Sequence, residues 1–366
     1  MDANPALYTT IPPQGERKPG QLTAQQLKQY FDEGFVVVPN FFKPEELDLV
    51  REGVKDLVNQ LVNKLYDAGK IKDKHEDVGL FQRFTLIEKQ FPGAGVLMHK
   101  AGILPQSFRD LWSHDHLLNV MEQLIGPNIA GHPVWNLRVK TPQNEESVVP
   151  WHQDNAYLDP NALNVLQPTA WIPLLDVNAQ NGCIQVARRG HRKGVTARHQ
   201  CCVGNTWYVE LLEEDMVKTL EVDMDNDLVT CDVPYGGVLF MNNSIPHRSL
   251  TNLSNEIRWS LDLRWQRPDK PNGFYGIKES IPMRVEGDPN FKPDFDTFSK
   301  TDRQLLTKDI FFASKNTDEG ATNDDDDDDE FDTTITGPWM QRWEMVHTNR
   351  HTARFKPHDK YNWVKA

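Results

Sequence analysis

Cysteine is scarce in this chain, with four in 366 residues: Cys183, Cys201, Cys202 and Cys231. Their scatter makes no disulfide framework and fits a reducing compartment. The run His199-Gln200-Cys201-Cys202 suggests zinc, but adjacent cysteines cannot easily ligate one tetrahedral ion, and no second pair stands at ligand spacing. Apolar runs are too short to span a bilayer. The first residues, Met1-Asp2-Ala3-Asn4-Pro5, carry neither the basic nor the apolar region of a secretory signal, and Val364-Lys365-Ala366 is not a peroxisomal address of the Ser-Lys-Leu type. The chain therefore reads as cytoplasmic. Basic charge is in deficit: 40 Lys and Arg stand against 53 Asp and Glu, for a formal net charge of −13. An acidic chain without a basic stripe is a poor nucleic-acid binder. The expected partner is a small-molecule substrate, with no nucleic acid and no membrane, and the sequence carries no signal of oligomeric state. Internal repeats are also lacking.

What is present is a globular composition, with 38% hydrophobic and 10% aromatic residues. A chain this long buries a large core, and one domain with insertions suffices. Residues 1–20, with Pro12-Pro13 and Pro19-Gly20, read as a loose leader before a single domain over 21–366. Its first part, 21–128, reads as helical. Thr23 with Gln26 caps a helix to about Asp32. Pro44 opens another to about Asp67, with Leu47, Val50, Val54, Leu57, Leu61 and Leu65 as its apolar stripe. A third starts at Ser113 and ends at Gly126-Pro127; its His114 and His116 read as cap residues, not ligands. Strands dominate 129–267, so the class is mainly β with flanking helices. The insertion Lys193 to Leu228, with Trp207, Tyr208 and a helical Glu213 to Leu220, has the length of a lid. Residues 268–334 read as loops with a short helix near Lys300 to Leu306. Asp324 to Asp329 with Glu330 carry seven negative charges, and 315–332 reads as a mobile loop. The segment 335–366 should dock on the core through Trp339, Trp343 and Met345.

The chemistry sits in Trp151-His152-Gln153-Asp154, His247 and Arg258. On a strand, residues two apart share a face, so a strand over Val148 to Tyr157 places His152 and Asp154 together. His247 follows the strand Gly236 to Met241. Two imidazoles and one carboxylate can hold one face of an Fe(II) ion and leave the other open. After the turn formers Ser249 to Asn255, Ile257, Trp259, Leu261 and Leu263 alternate with Arg258, Ser260, Asp262 and Arg264. The polar face meets solvent or lines a wet cavity; in the second case Arg258 shares that cavity with His247. An arginine there suits the far carboxylate of an acidic co-substrate. A second His-x-Asp, His75-Glu76-Asp77, follows a charged stretch without strand character and reads as surface.

These residues resemble the phytanoyl-CoA dioxygenase-like Fe(II)/2-oxoglutarate oxygenases. Phe31-Asp32-Glu33-Gly34-Phe35-Val36-Val37-Val38 looks like that family's opening helix and strand, Asn181-Gly182-Cys183-Ile184 like its Gly-Cys-Leu turn, and His247, Asn252 and Arg258 like its closing segment. The resemblance covers about residues 20–270 and implies a double-stranded β-helix (a jelly roll, cupin-like). It implies Fe(II), 2-oxoglutarate and O2, with His152, Asp154 and His247 on the metal and Arg258 on 2-oxoglutarate. It also points to Trp171, Asn136 and Lys140 as co-substrate contacts; plain core packing is the alternative for Trp171. Asp154 stands where halogenating relatives have Gly or Ala, so hydroxylation is expected. One departure is Arg188-Arg189-Gly190-His191, where the family has Pro-Gly-Ser-His; the two arginines read as a solvated turn.

The expected function is hydroxylation of an unactivated C–H of a small metabolite, with release of succinate and CO2. Asn155, Tyr157 and Trp207 are the candidate substrate contacts. Acyl-CoA 2-hydroxylation of the phytanoyl-CoA type is the runner-up. Protein hydroxylation and a non-catalytic ligand-binding domain are further alternatives.

Overall fold

The computed structural model describes residues 2–302 and 330–353. Thr23 Oγ1 accepts the Gln26 N–H while Gln26 Oε1 accepts the Thr23 N–H, closing a reciprocal cap over the helix Ala24–Glu33. Gly34 ends this helix at φ +91°, where a Cβ would lie 2.5 Å from Ile245 Cδ1. Pro44 is the first residue of the helix Pro44–Asp67, and its expected stripe is buried except for the half-buried Leu61. The helix Asp115–Ile125 is capped by His114: its Nδ1 accepts the His116 N–H, and its Nε2 meets Glu46. Three helices had no clear sequence signal: Leu80–Gln90, Ala94–Lys100 and Gln106–Trp112. None has a side-chain cap. They are stabilised instead by burying Phe84, Ile87, Phe108 and Trp112.

The strands are β1 (Phe35–Val38), β2 (Ile129–Gly131), β3 (Asn136–Lys140), β4 (Thr169–Pro173), β5 (Ile184–Ala187), β6 (Gln200–Cys201), β7 (Val209–Glu210), β8 (Leu228–Cys231), β9 (Val238–Met241), β10 (His247–Ser249), β11 (Arg258–Gln266), β12 (Ile281–Arg284) and β13 (Glu344–Met345). The large antiparallel sheet runs β1-β9-β4-β11-β2-β12, with β3 also on β11; a smaller one runs β10-β5-β8. Phe35, Trp171, Leu239 and Met241 of the first pack against Ile184, Val186 and Cys231 of the second. The other side of the large sheet, with Trp259, Leu261 and Leu263, packs on the helices. This is the cupin-like jelly-roll layout, mainly β with flanking helices, and its strands do not close into a continuous barrel. All nine residues of β11 are buried, because its apolar face meets helices and its polar face lines the interior between the sheets.

Several local expectations are corrected. Val148 to Tyr157 is not a strand: Pro150 has no N–H to give a ladder, His152 makes a single antiparallel bridge with His247, and Asp154–Tyr157 winds into a 3₁₀ turn. Residues 1–20 are not loose throughout. Ala6–Thr9 forms a helical turn, and Tyr8 is buried with its hydroxyl donating to the Leu163 carbonyl at 3.1 Å. The short helix lies at Phe295–Ser299, started by Asp294 accepting the Thr297 N–H; the expected span from 303 onward is outside the described residues. β12 falls in a stretch read as loop, and Pro282 is tolerated because β12 is an edge strand. Cys201 and Cys202 are joined to each other.

Most of the acidic run lies outside the described residues; its last member, Glu330, pairs with Lys64 at 2.9 Å. Met340 and Trp343 of the C-terminal segment are buried among Trp207, Tyr208 and Cys201, while 354–366 lies outside the described residues. No helix among the described residues is long and apolar enough to cross a membrane.

Burial lowers the imidazole pKa of His132, His191 and His247 to about 4 and that of His199 to about 3. In the unfolded chain these groups return to about 6.5. As pH falls, the unfolded state binds their protons first. Their stabilisation is full above about pH 6.5 and is lost toward about pH 4, at about 1.4 kcal/mol per pH unit for each histidine. The urea midpoint of the metal-free protein should therefore be lower at about pH 5 than at about pH 7.5. Equal midpoints would contradict this.

Candidate active site

Gln153 explains why His152 and Asp154 converge without a regular strand. Its backbone is extended, at φ −107° and ψ 136°, so the side chains on either side of it still share a face. Its own side chain points the other way and is pinned: Nε2 donates to the Val195 and Ser244 carbonyls at 2.9 and 2.7 Å, and Oε1 accepts the Ala197 N–H at 2.9 Å. The His152–His247 bridge then brings the third residue alongside. Ligand atoms of His152, Asp154 and His247 all lie within 4.8 Å of one another. His152 Nε2 is 3.5 Å and His247 Nε2 3.9 Å from Asp154 Oδ1.

The tautomers follow from the backbone. His152 Nδ1 meets the Pro150 carbonyl at 2.8 Å and His247 Nδ1 the Ile245 carbonyl at 3.0 Å. A carbonyl only accepts, so each Nδ1 carries the proton and each Nε2 keeps its lone pair for a metal. Burial would raise the Asp154 carboxyl, but Arg264, His152 and His247 outweigh it and hold it well below the usual carboxylate range. Two neutral imidazoles and an ionised carboxylate form a donor set that fits Fe(II).

Arg264 was not singled out from the sequence, although it shares the polar face of β11 with Arg258. Its Nε and Nη2 donate to Asp154 Oδ2 at 3.2 and 3.1 Å, and Thr169 adds a longer bond at 3.4 Å. The pair occupies Oδ2 and leaves Oδ1 facing the imidazoles. His199 was read only as part of an unconvincing zinc pattern. It is a second support, its Nε2 accepting the Gln153 N–H at 3.1 Å.

Lys140 and Arg258 stand directly opposite each other in the β3–β11 register. Both are buried. Lys140 Nζ donates to the Ser147 carbonyl at 2.7 Å and to Ser249 Oγ at 3.2 Å. Arg258 Nη1 donates to Ser260 Oγ at 2.6 Å, and its Nε has no partner. Burial depresses Lys140 well below its ordinary value and Arg258 to about 10. Opposed like charges in a sheet are destabilising. An orphaned guanidinium N–H beside a second cation fits an acidic co-substrate. Trp171 packs with its ring centroid 5.2 Å from the Arg258 guanidinium.

Two adjoining cavities meet at His152. One, about 80 Å³, is lined by Lys140, Trp171, His247 and Arg258. The other, about 120 Å³, is lined by Asn136, Tyr157, Phe274 and Trp339. Trp207 and Arg138 line both. Lys140, Trp171 and Arg258 are thus together, while Asn136 lies on the other side, away from Arg258. Tyr157 faces the larger cavity, and its hydroxyl accepts the Val209 N–H at 3.2 Å. Asn155 faces neither cavity; it is buried against Asn243 at 2.6 Å and Tyr8 at 3.4 Å because the 3₁₀ turn swings it away from the metal side. Arg188 and Arg189 pair with Asp227 and Glu33, and they line neither cavity.

The family profile described as Phytanoyl-CoA dioxygenase (PhyH) matches residues 30–260. A 1-deoxypentalenic acid 11-beta-hydroxylase of Streptomyces arenae is 28% identical over 177 residues, 46% of this chain; the match spans 60% of that relative's length. A phytanoyl-CoA dioxygenase of Arabidopsis thaliana is 24% identical over 294 residues, 73% of this chain and 98% of the relative. Among solved structures, the apo form of the non-heme monooxygenase ThoJ superposes with a TM-score of 0.52 at 17% identity, covering 76% of this chain and 96% of that one. EctD from S. alaskensis in its apo form gives a TM-score of 0.50 at 17% identity, covering 80% and 90%. At such identities the structural likeness speaks to fold alone.

Replacing Arg264 frees Asp154 Oδ2 and loosens the carboxylate. Arg264→Leu should weaken metal binding by about 10–100-fold, the usual effect of losing a partner of a ligand, as read by cobalt(II) titration of the visible spectrum. Wild-type affinity in that variant would show that the pair does not position Asp154.

Proposed function

The chain belongs to the phytanoyl-CoA dioxygenase family of iron- and 2-oxoglutarate-dependent oxygenases, and on that premise we propose that it hydroxylates an unactivated C–H of a small metabolite. The observation that carries this reading is the pair of opposed buried cations, Lys140 and Arg258, beside His152, Asp154 and His247. The His152 and His247 imidazoles with Asp154 would hold the iron, and Arg258, with Lys140 beside it and Trp171 backing the guanidinium, would receive the distal carboxylate of 2-oxoglutarate. When bound, iron and 2-oxoglutarate supply the oxidation with O2, giving succinate and CO2. Trp207, Tyr208 and Trp339 wall the cavity and limit water beside the reacting carbon.

The names of the relatives divide between an acid hydroxylase and enzymes of coenzyme A thioesters. Cavities of about 80 and 120 Å³ favour a compact metabolite held entirely inside over a thioester whose nucleotide part would lie outside. Tyr157 and Trp207 line the larger cavity and are the proposed substrate contacts, whereas Asn155 lines neither cavity.

Two variants test the assignment by different readouts. Asp154→Ala should abolish succinate release from 2-oxoglutarate, and ordinary turnover there would remove Asp154 from the metal. Arg258→Leu should raise the KM for 2-oxoglutarate by about 100-fold, the worth of a charge-assisted bidentate pair at about 2–3 kcal/mol. A KM within about two-fold of wild type would place the co-substrate elsewhere.

A further inference from the structure

The larger cavity beside Asp154 is electrically lopsided. Asp154 is the only carboxylate lining it among the described residues, and that group faces Arg264 and the two imidazoles. Two arginines line the same space, Arg138 and Arg264. Arg264 is committed to Asp154. Arg138, paired with Asp262 through Nε alone, enters from β3 into both cavities, and 23% of its side chain stays open.

Arg138 is also held still. Its Nε donates to Asp262 Oδ2 at 2.9 Å, and the Tyr208 hydroxyl bonds to the guanidinium. Asp262 is itself almost closed off, at 8% exposure, and lines the smaller cavity but not the larger one, so it offers no counter-charge to a cationic ligand there. Held in this way, the guanidinium is pre-oriented where it lines both cavities, and its planar fork is a shape that matches a carboxylate. The surrounding wall is aromatic, with Tyr157, Trp207, Phe274 and Trp339.

We propose that Arg138 is the specificity-determining residue of this site, gripping the carboxylate of a compact organic acid whose apolar body lies against the aromatic wall. This rests on the oxygenase reading for what becomes of the acid, but the grip itself needs neither iron nor turnover. An amide or ester of the same acid lacks the charge and leaves the guanidinium unanswered. A cation finds no partner. A coenzyme A thioester carries no free carboxylate at its acyl end.

The test uses matched pairs: cyclohexanecarboxylate against cyclohexanecarboxamide, and phenylacetate against phenylacetamide. Binding is followed by tryptophan fluorescence, since Trp207 and Trp339 line the cavity. Zinc(II) and 2-oxoglutarate are present to fill the neighbouring site without redox chemistry. In the wild-type protein the acids should bind at least about ten-fold more tightly than their amides. Arg138→Gln should bring that ratio close to one, and Arg138→Lys should leave it in between. Wild-type protein that treats acid and amide alike, including no response to either at millimolar concentration, overturns the proposal without any variant. So does a ratio that survives in Arg138→Gln. Failure of the oxygenase reading would show separately, as no succinate from 2-oxoglutarate with Fe(II) and O2, and would leave the acid-over-amide ratio standing.

Discussion

Two buried cations facing each other across neighbouring strands are the constraint around which this molecule is built. Lys140 and Arg258 are register partners in β3 and β11, and among the described residues neither has a carboxylate within ion-pair distance. Such an arrangement costs free energy in the empty protein, through desolvation and like-charge repulsion. Burial answers part of that cost by depressing Lys140. On the proposed assignment a bound dicarboxylate would answer the rest and stabilise the protein when it arrives.

The rest of the fold serves that interior. β11 is buried along its whole length because it carries apolar residues to the helices and Arg258, Asp262 and Arg264 to the cavity. Cations and carboxylates along it are interleaved: Asp154 answers Arg264, and Asp262 answers Arg138. Segments remote in sequence fix the metal turn from behind. Arg342 donates to the Asn155 and Leu158 carbonyls, and Trp343 Nε1 donates to the Ala156 carbonyl at 2.8 Å. The insertion contributes His199 beneath Gln153. The geometry at Asp154 thus depends on the C-terminal segment and on the insertion as well as on the jelly roll.

Much of this was legible because it is periodic or local. The alternation of β11 and the reciprocal cap at Thr23 are written in adjacent residues, and so are the glycine stop at Gly34 and the shared face of His152 and Asp154. What was not legible depends on distant partners. A one-residue extended stretch and a longer strand place His152 and Asp154 alike, but they part company at Asn155, which the 3₁₀ turn sends into a network with Asn243 and Tyr8. Asn136 and Lys140 share a face of β3 yet line different cavities, a division set by how the strands cross the interior. Arg138 and Arg264 carried the right periodicity, but nothing in the sequence said that their partners would be Asp262 and Asp154. The Tyr8 turn looked loose because proline and glycine surround it, and only its burial reveals the dock.

If His152, Asp154 and His247 hold the metal and Arg258 with Lys140 receives the co-substrate, 2-oxoglutarate binds only where the metal is bound. Anaerobic calorimetry with 2-oxoglutarate, in the presence and absence of Fe(II), should then show one binding event per chain that requires the metal and disappears with a chelator. Binding of equal strength without metal, or none with it, would contradict this arrangement.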